Sequence, residues 1–112
     1  PWVQCYPDVG NIAGHGGESA AELQAGEGHI VALHVKDVLP GQPRRVPFGT
    51  GIADFDSAFK ELVRQGWSGR VMLEMWHDDA PDSLASCRVA RKFIEEKAAA
   101  AGLRIVEDRS RQ

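Results

Sequence analysis

Three kinds of feature are scarce in this chain, and each scarcity narrows what it can be. Of 112 residues only two are cysteine, Cys5 and Cys87, and their spacing matches no metal or redox motif. Cys5 falls in a strand-like run and Cys87 on the apolar side of a predicted helix. Both are therefore expected to be buried thiols, and that usage fits a reducing, cytoplasmic setting. Long hydrophobic runs are absent too. No stretch approaches the roughly 18 apolar residues of a membrane-spanning helix. Charge of one sign is also missing: the formal net charge of −3 gives no reason to expect nucleic acid or an anionic membrane as partner. Pro1-Trp2 opens directly into a strand-like run, so no signal peptide is expected, and the lack of an initiating Met suggests a chain cut from something longer. What is left is one globular domain with a modest core.

Strand-like and helix-like segments alternate along that domain, which points to an α/β fold of parallel βα units. The strand-like runs are 3–7, 30–36 and 70–75. A glycine-rich stretch, 10–17, follows the first. Ser19-Ala20-Ala21-Glu22 then has the form of a capping box opening a short helix that Gly26 ends. After the second run comes a long loop holding Pro40, Pro43 and Pro47, with Gly41, Gly49 and Gly51. Gly49-Thr50-Gly51 reads as a tight turn. Phe55, Phe59, Leu62 and Val63 share one helical face, and Gly66 stops that helix. A polar turn through Asp78 and Asp79 precedes Pro81, placed to start a last helix whose buried stripe would be Leu84, Cys87, Ala90, Phe93 and Ile94. Residues 106–112 form a charged, flexible tail.

Each strand-like run ends in a side chain that binds divalent metals: Asp8, His34 and Glu74. Side chains alternate across a strand. His34 therefore shares a side with Ala32 and Lys36, Glu74 with Met72 and Trp76, and Asp8 with Tyr6 and Gln4. The aliphatic residues Val31, Leu33, Val35, Val71 and Leu73 fall on the other side, toward the helices. Polar strand ends on one face are how parallel α/β barrels build active sites. A closed barrel needs roughly 200 to 250 residues, so this chain supplies about three units. Open sheet edges then predict self-association.

Four motifs occur in order: Tyr6-Pro7-Asp8-Val9-Gly10-Asn11, His34-Val35-Lys36-Asp37, Val46-Pro47-Phe48-Gly49-Thr50-Gly51 with Asp54-Phe55, and Leu73-Glu74-Met75-Trp76. Together they resemble the C-terminal part of the L-ribulose-5-phosphate 3-epimerase family, also called L-xylulose-5-phosphate 3-epimerase or hexulose-6-phosphate isomerase, among the xylose-isomerase-like barrels. The resemblance runs from about Tyr6 to the last helix. It implies that residues 1–105 are the C-terminal three βα units of a (β/α)8 TIM barrel. It also implies a divalent metal, Mn²⁺, Zn²⁺, Co²⁺ or Mg²⁺, held by two glutamates, an aspartate and a histidine. Asp8, His34 and Glu74 match three of those ligands. The family's first glutamate, also an acid/base, lies on an earlier strand and has no counterpart in this sequence.

The reaction so implied interconverts L-ribulose 5-phosphate and L-xylulose 5-phosphate through a metal-stabilised enediolate, with Glu74 as one acid/base. The ligand set suits several divalent ions without choosing among them. Lys36, on the His34 side, is placed to hold a substrate oxygen or phosphate, or to be an exposed strand-end lysine. Arg44 and Arg45 could grip phosphate, and Asn11 could contact substrate. His15 and His77 read as surface residues and His29 as a structural or solvent-facing one, none of them a ligand. An inosose dehydratase of the same superfamily, and an inactive structural or interaction module, are the alternatives. The unmatched glutamate predicts that the chain alone is inactive.

Overall fold

The computed structural model describes residues 2–76 and 81–107. His77, the Asp78–Asp79 turn and the tail from 108 onward lie outside the described residues. Within the glycine-rich stretch that follows the first strand-like run, helix α1 (Val9–Gly14) forms. Asp8 caps it, its Oδ1 accepting the Asn11 N–H at 2.9 Å, a cap that stabilises by about 1 kcal/mol. Gly10 weakens helix propensity but is required by packing, because a Cβ there would sit 2.5 Å from the Lys36 carbonyl oxygen. Helix α2 (Ser19–Ala25) does not use the expected capping box. Its N-cap is Glu18, without a side-chain bond, and Ser19 is buried in the first turn. Gly26 closes it as anticipated.

Strand β1 (Ala32–Val35) leads into β2 (Asp37–Leu39) and β3 (Gln42–Val46), an antiparallel hairpin where the sequence suggested only a loop. Proline hid it. Pro43 occupies an exposed edge strand, where a missing N–H is tolerated. Helix α3 (Phe55–Arg64) is capped by Asp54, whose Oδ1 accepts the Ser57 N–H at 3.0 Å. Phe55, Ala58, Phe59 and Leu62 are buried. Val63, at the rim of the stripe, is 39% exposed.

Strand β4 (Arg70–Leu73) precedes α4 (Ser83–Ala101), which starts behind Pro81 with Asp82 as its cap. Only the later part of the α4 stripe is realised. Ala90, Ile94 and Ala98 are buried, whereas Leu84 is 60% exposed and Cys87 is exposed. The reason is length: α4 has 19 residues, about 28 Å, against 10 residues, about 15 Å, in its neighbour α3. The longer helix overhangs its partner. Gly102, in the left-handed region at φ 96°, ends it.

The sheet is parallel. β1 pairs with β4 in register from Ala32–Arg70 to Val35–Leu73. On its other side the first strand-like run contributes two parallel bridges, Cys5–Ile30 and Asp8–His34. Leu33 and Val35 enter a core with Leu23 of α2, Phe59 and Leu62 of α3, and Ile94 of α4. The expected parity holds for β1, but Val31 and Val71 stay exposed. Cys5 is also exposed, contrary to expectation. It lies on the outermost strand segment, with no further strand beside it among the described residues. No closed barrel forms there; helices cover one face of three parallel segments. No described helix is long and apolar enough to cross a membrane.

Candidate metal centre

Parallel pairing brings the three strand ends together. The His34 N–H donates to the Pro7 carbonyl at 2.8 Å, and the Glu74 N–H to the Val35 carbonyl at 3.0 Å. Asp8, His34 and Glu74 therefore leave the sheet at one level. One potential ligand atom from each lies within 4.8 Å of the others. His34 Nδ1 is 3.1 Å from Glu74 Oε2 and 3.8 Å from Asp8 Oδ2. Tyr6 meets the imidazole edge to face at 4.1 Å, which fixes the ring.

Asp8 Oδ2 is buried and has no hydrogen-bond donor among the described residues. A buried carboxylate oxygen left this way is costly unless a cation faces it. Two carboxylates and an imidazole at this separation suit a divalent ion with open positions, so the residues present fit a metal.

The charges around the site are coupled. Burial raises the Asp8 pKa; the Asn11 amide and the Lys36 charge oppose that, and neighbouring Glu74 adds to it. Partial burial also acts to raise Glu74, but the His34 bond, the Lys36 charge and the Trp76 bond outweigh it and hold its pKa below the ordinary value. Lys36 is only 7% exposed, not a solvated strand-end lysine. Its Nζ lies 3.8 Å from Asp8 Oδ2 and 3.9 Å from Glu74 Oε1. Gly10 packs against its stem, the ideal Cβ of Gly10 falling 2.9 Å from Lys36 Cγ.

A cleft opens beside this cluster, between the hairpin and the end of β4. Lys36, Arg44, Arg45, Phe48, Glu74 and Trp76 line it. The Arg44 guanidinium lies 4.1 Å over the Trp76 ring, and the Trp76 indole N–H donates to Glu74 Oε1 at 3.2 Å. Arg45 adopts φ 61°, the left-handed region uncommon for a residue with a side chain. Asn11 is not in this cleft. With Asp8 and the exposed His15 it lines a separate hollow near α1 and α2. His29 is exposed as expected.

A model of the xylose isomerase-like TIM barrel matches residues 1–109. The chain belongs to that family. It is 46% identical over 103 residues to the L-ribulose-5-phosphate 3-epimerase UlaE of Salmonella paratyphi C, covering 92% of this chain and 36% of that protein. The similarity to UlaE of Escherichia coli O1:K1 is 45% over the same share, and to a putative UlaE of Shigella dysenteriae serotype 1 also 45%. The chain thus spans about a third of the length of the curated relatives it matches.

Within the xylose isomerase-like barrel, strand-end parity pointed to Asp8, His34, Lys36 and Glu74 from the sequence. It missed the roles of Tyr6, Trp76 and Asp37. Tyr6 and Trp76 carried a signal, since they share strand parity with Asp8 and Glu74. Asp37 carried only its place in the His34–Asp37 motif, which says nothing of the backbone amides it meets.

Proposed function

We propose that this chain supplies three ligands of a divalent-metal centre in a sugar-phosphate 3-epimerase interconverting L-ribulose 5-phosphate and L-xylulose 5-phosphate. The observation that carries the reading is the buried Asp8 Oδ2, without a donor, beside His34 and Glu74. A divalent ion held by Asp8, His34 and Glu74 would act as a Lewis acid toward the ketose carbonyl and hydroxyl oxygens. Epimerisation removes the proton at C3, next to the C2 carbonyl, and returns one to the opposite face.

Glu74, held ionised by His34 and Lys36, serves as one carboxylate of that exchange. Trp76 and His34 orient it through bonds to its two oxygens. Lys36, between the two carboxylates, binds a substrate oxygen, and Arg45 with Arg44 receives the phosphate at the cleft mouth. Asn11 would approach from the other hollow. No residue of the chain matches the second carboxylate. The 112 residues alone are therefore expected to bind metal weakly and to exchange no C3 proton.

Incubation with Mn²⁺ and L-ribulose 5-phosphate in D₂O, followed by NMR, tests this. Measurable C3 exchange would mean that another carboxylate of this chain completes the pair. We also propose self-association through the open edges, where Val3 of the first segment and Val71 and Met72 of β4 are exposed. A monodisperse monomer in sedimentation would overturn that part.

A further inference from the structure

We propose that Asp37 is a positioning residue for the substrate cleft: its carboxylate clasps the 47–53 turn to the strand end bearing Lys36, and so sets the wall that Phe48 presents opposite Glu74. The proposal rests on reading that cleft as the sugar-phosphate site.

Asp37 is 3% exposed and takes four backbone N–H groups. Oδ1 accepts from Val38 at 2.9 Å and Ala53 at 3.1 Å; Oδ2 accepts from Gly49 at 2.9 Å and Gly51 at 3.0 Å. Three of the four donors belong to the turn. The Ile52 N–H adds a bond to the Val38 carbonyl at 2.8 Å. Gly-x-Gly serves this clasp. A Cβ on Gly51 would fall 2.2 Å from Asp37 Oδ1, and Gly49 sits at φ 90° with its ideal Cβ 2.9 Å from Phe93. On its other flank the turn is held by aromatics. Phe48 stacks on Phe55 at 5.9 Å and meets Phe93 edge to face at 6.4 Å.

The turn is therefore gripped by a buried charge on one side and by the α3–α4 aromatics on the other. Lys36 precedes the clasping residue directly, so the cleft wall and the lysine are held by one anchor. Asparagine cannot replace Asp37. Whichever way its amide is turned, the NH₂ faces two N–H donors.

The full chain, wild type, D37N and G51A, would be titrated with L-ribulose 5-phosphate and separately with Mn²⁺, while amide hydrogen exchange is followed at Gly49, Gly51 and Ala53. Both variants are expected to exchange about tenfold faster or more at those amides and to bind the sugar phosphate about tenfold more weakly. Mn²⁺ affinity should stay within about threefold. A merely structural role would weaken both ligands together, and that outcome overturns the proposal, as does unchanged sugar-phosphate affinity in D37N. If D37N does not fold, G51A decides, since it keeps the carboxylate and its added methyl forces the turn off it. Absence of sugar-phosphate binding by the wild type would overturn the cleft reading and this role with it. Protected Gly49 and Gly51 amides would then leave the clasp as a feature of the fold alone.

Discussion

Two buried aspartates flank the same site and are treated in opposite ways. Asp37 has both oxygens filled by main-chain amides. Asp8, 9% exposed, has one oxygen engaged by the Asn11 amide and the other without a donor. Burial of a carboxylate is unfavourable in both cases. At Asp37 the fold answers it with its own dipoles, and at Asp8 only the more distant Lys36 and His34 offer relief. A saturated carboxylate organises the backbone, whereas a half-satisfied one is available to an incoming cation.

The largest effect expected from this contrast is on stability. D37A strands four amides at once and should cost about 3 kcal/mol or more, read from the urea midpoint. A loss well below about 1 kcal/mol would show that water replaces the carboxylate and would erase the distinction.

D8N should behave differently. Asparagine keeps the α1 cap and removes the strained charge, so stability should change by less than about 1 kcal/mol. Mn²⁺ should raise the melting temperature of the wild type and leave that of D8N unmoved. A D8N chain as unstable as D37A would make Asp8 a structural residue too.

Glu61 sharpens the comparison from outside the site. It is buried on α3 beside Arg64, whose Nη2 lies within 2.6 Å, and Gln65 adds a bond at 3.2 Å. Arg64 and Gln65 hold its pKa below the ordinary value of 4.5. A depressed folded-state pKa stabilises above the unfolded value and is lost as pH falls through the folded one. The small melting-temperature gap between wild type and E61Q should therefore be full above pH 4.5 and close as the medium becomes more acidic. A gap independent of pH would mean that the ionised carboxylate contributes nothing.

The parts of the molecule visible in the sequence were those governed by periodicity. The alternation in 30–36 placed Leu33 and Val35 in the core and His34 and Lys36 opposite them. The spacing of Phe55, Phe59 and Leu62 gave the inner face of α3. The hidden parts were decided by tertiary contact. α1 forms despite two glycines, because Asp8 caps it and Gly10 must lie against Lys36. The hairpin uses Pro40-Gly41 as its turn and tolerates Pro43 on its edge strand, and Ser19 exchanged a capping role for burial. Cys5 and Leu84 have apolar patterning but stay exposed, Cys5 on the outermost strand segment and Leu84 on the overhanging start of α4. The Asp8, His34 and Glu74 cluster could be found because the three end successive strands on one side of the sheet. The clasp could not, since nothing in Asp37 announces which amides it will meet.

The parallel register of β1 and β4 also sets an order of assembly. Its partners are separated by the whole hairpin and α3, so closing that loop loses far more chain entropy than folding the hairpin alone. The local hairpin, with hairpin formation taking about 1–10 μs, can precede the pairing that delivers Glu74 to His34. Substitutions in β2 and β3 should then slow folding, and those at the β4 end should mainly speed unfolding, a partition that φ-values would reveal. The wall of the cleft would exist before the centre it faces.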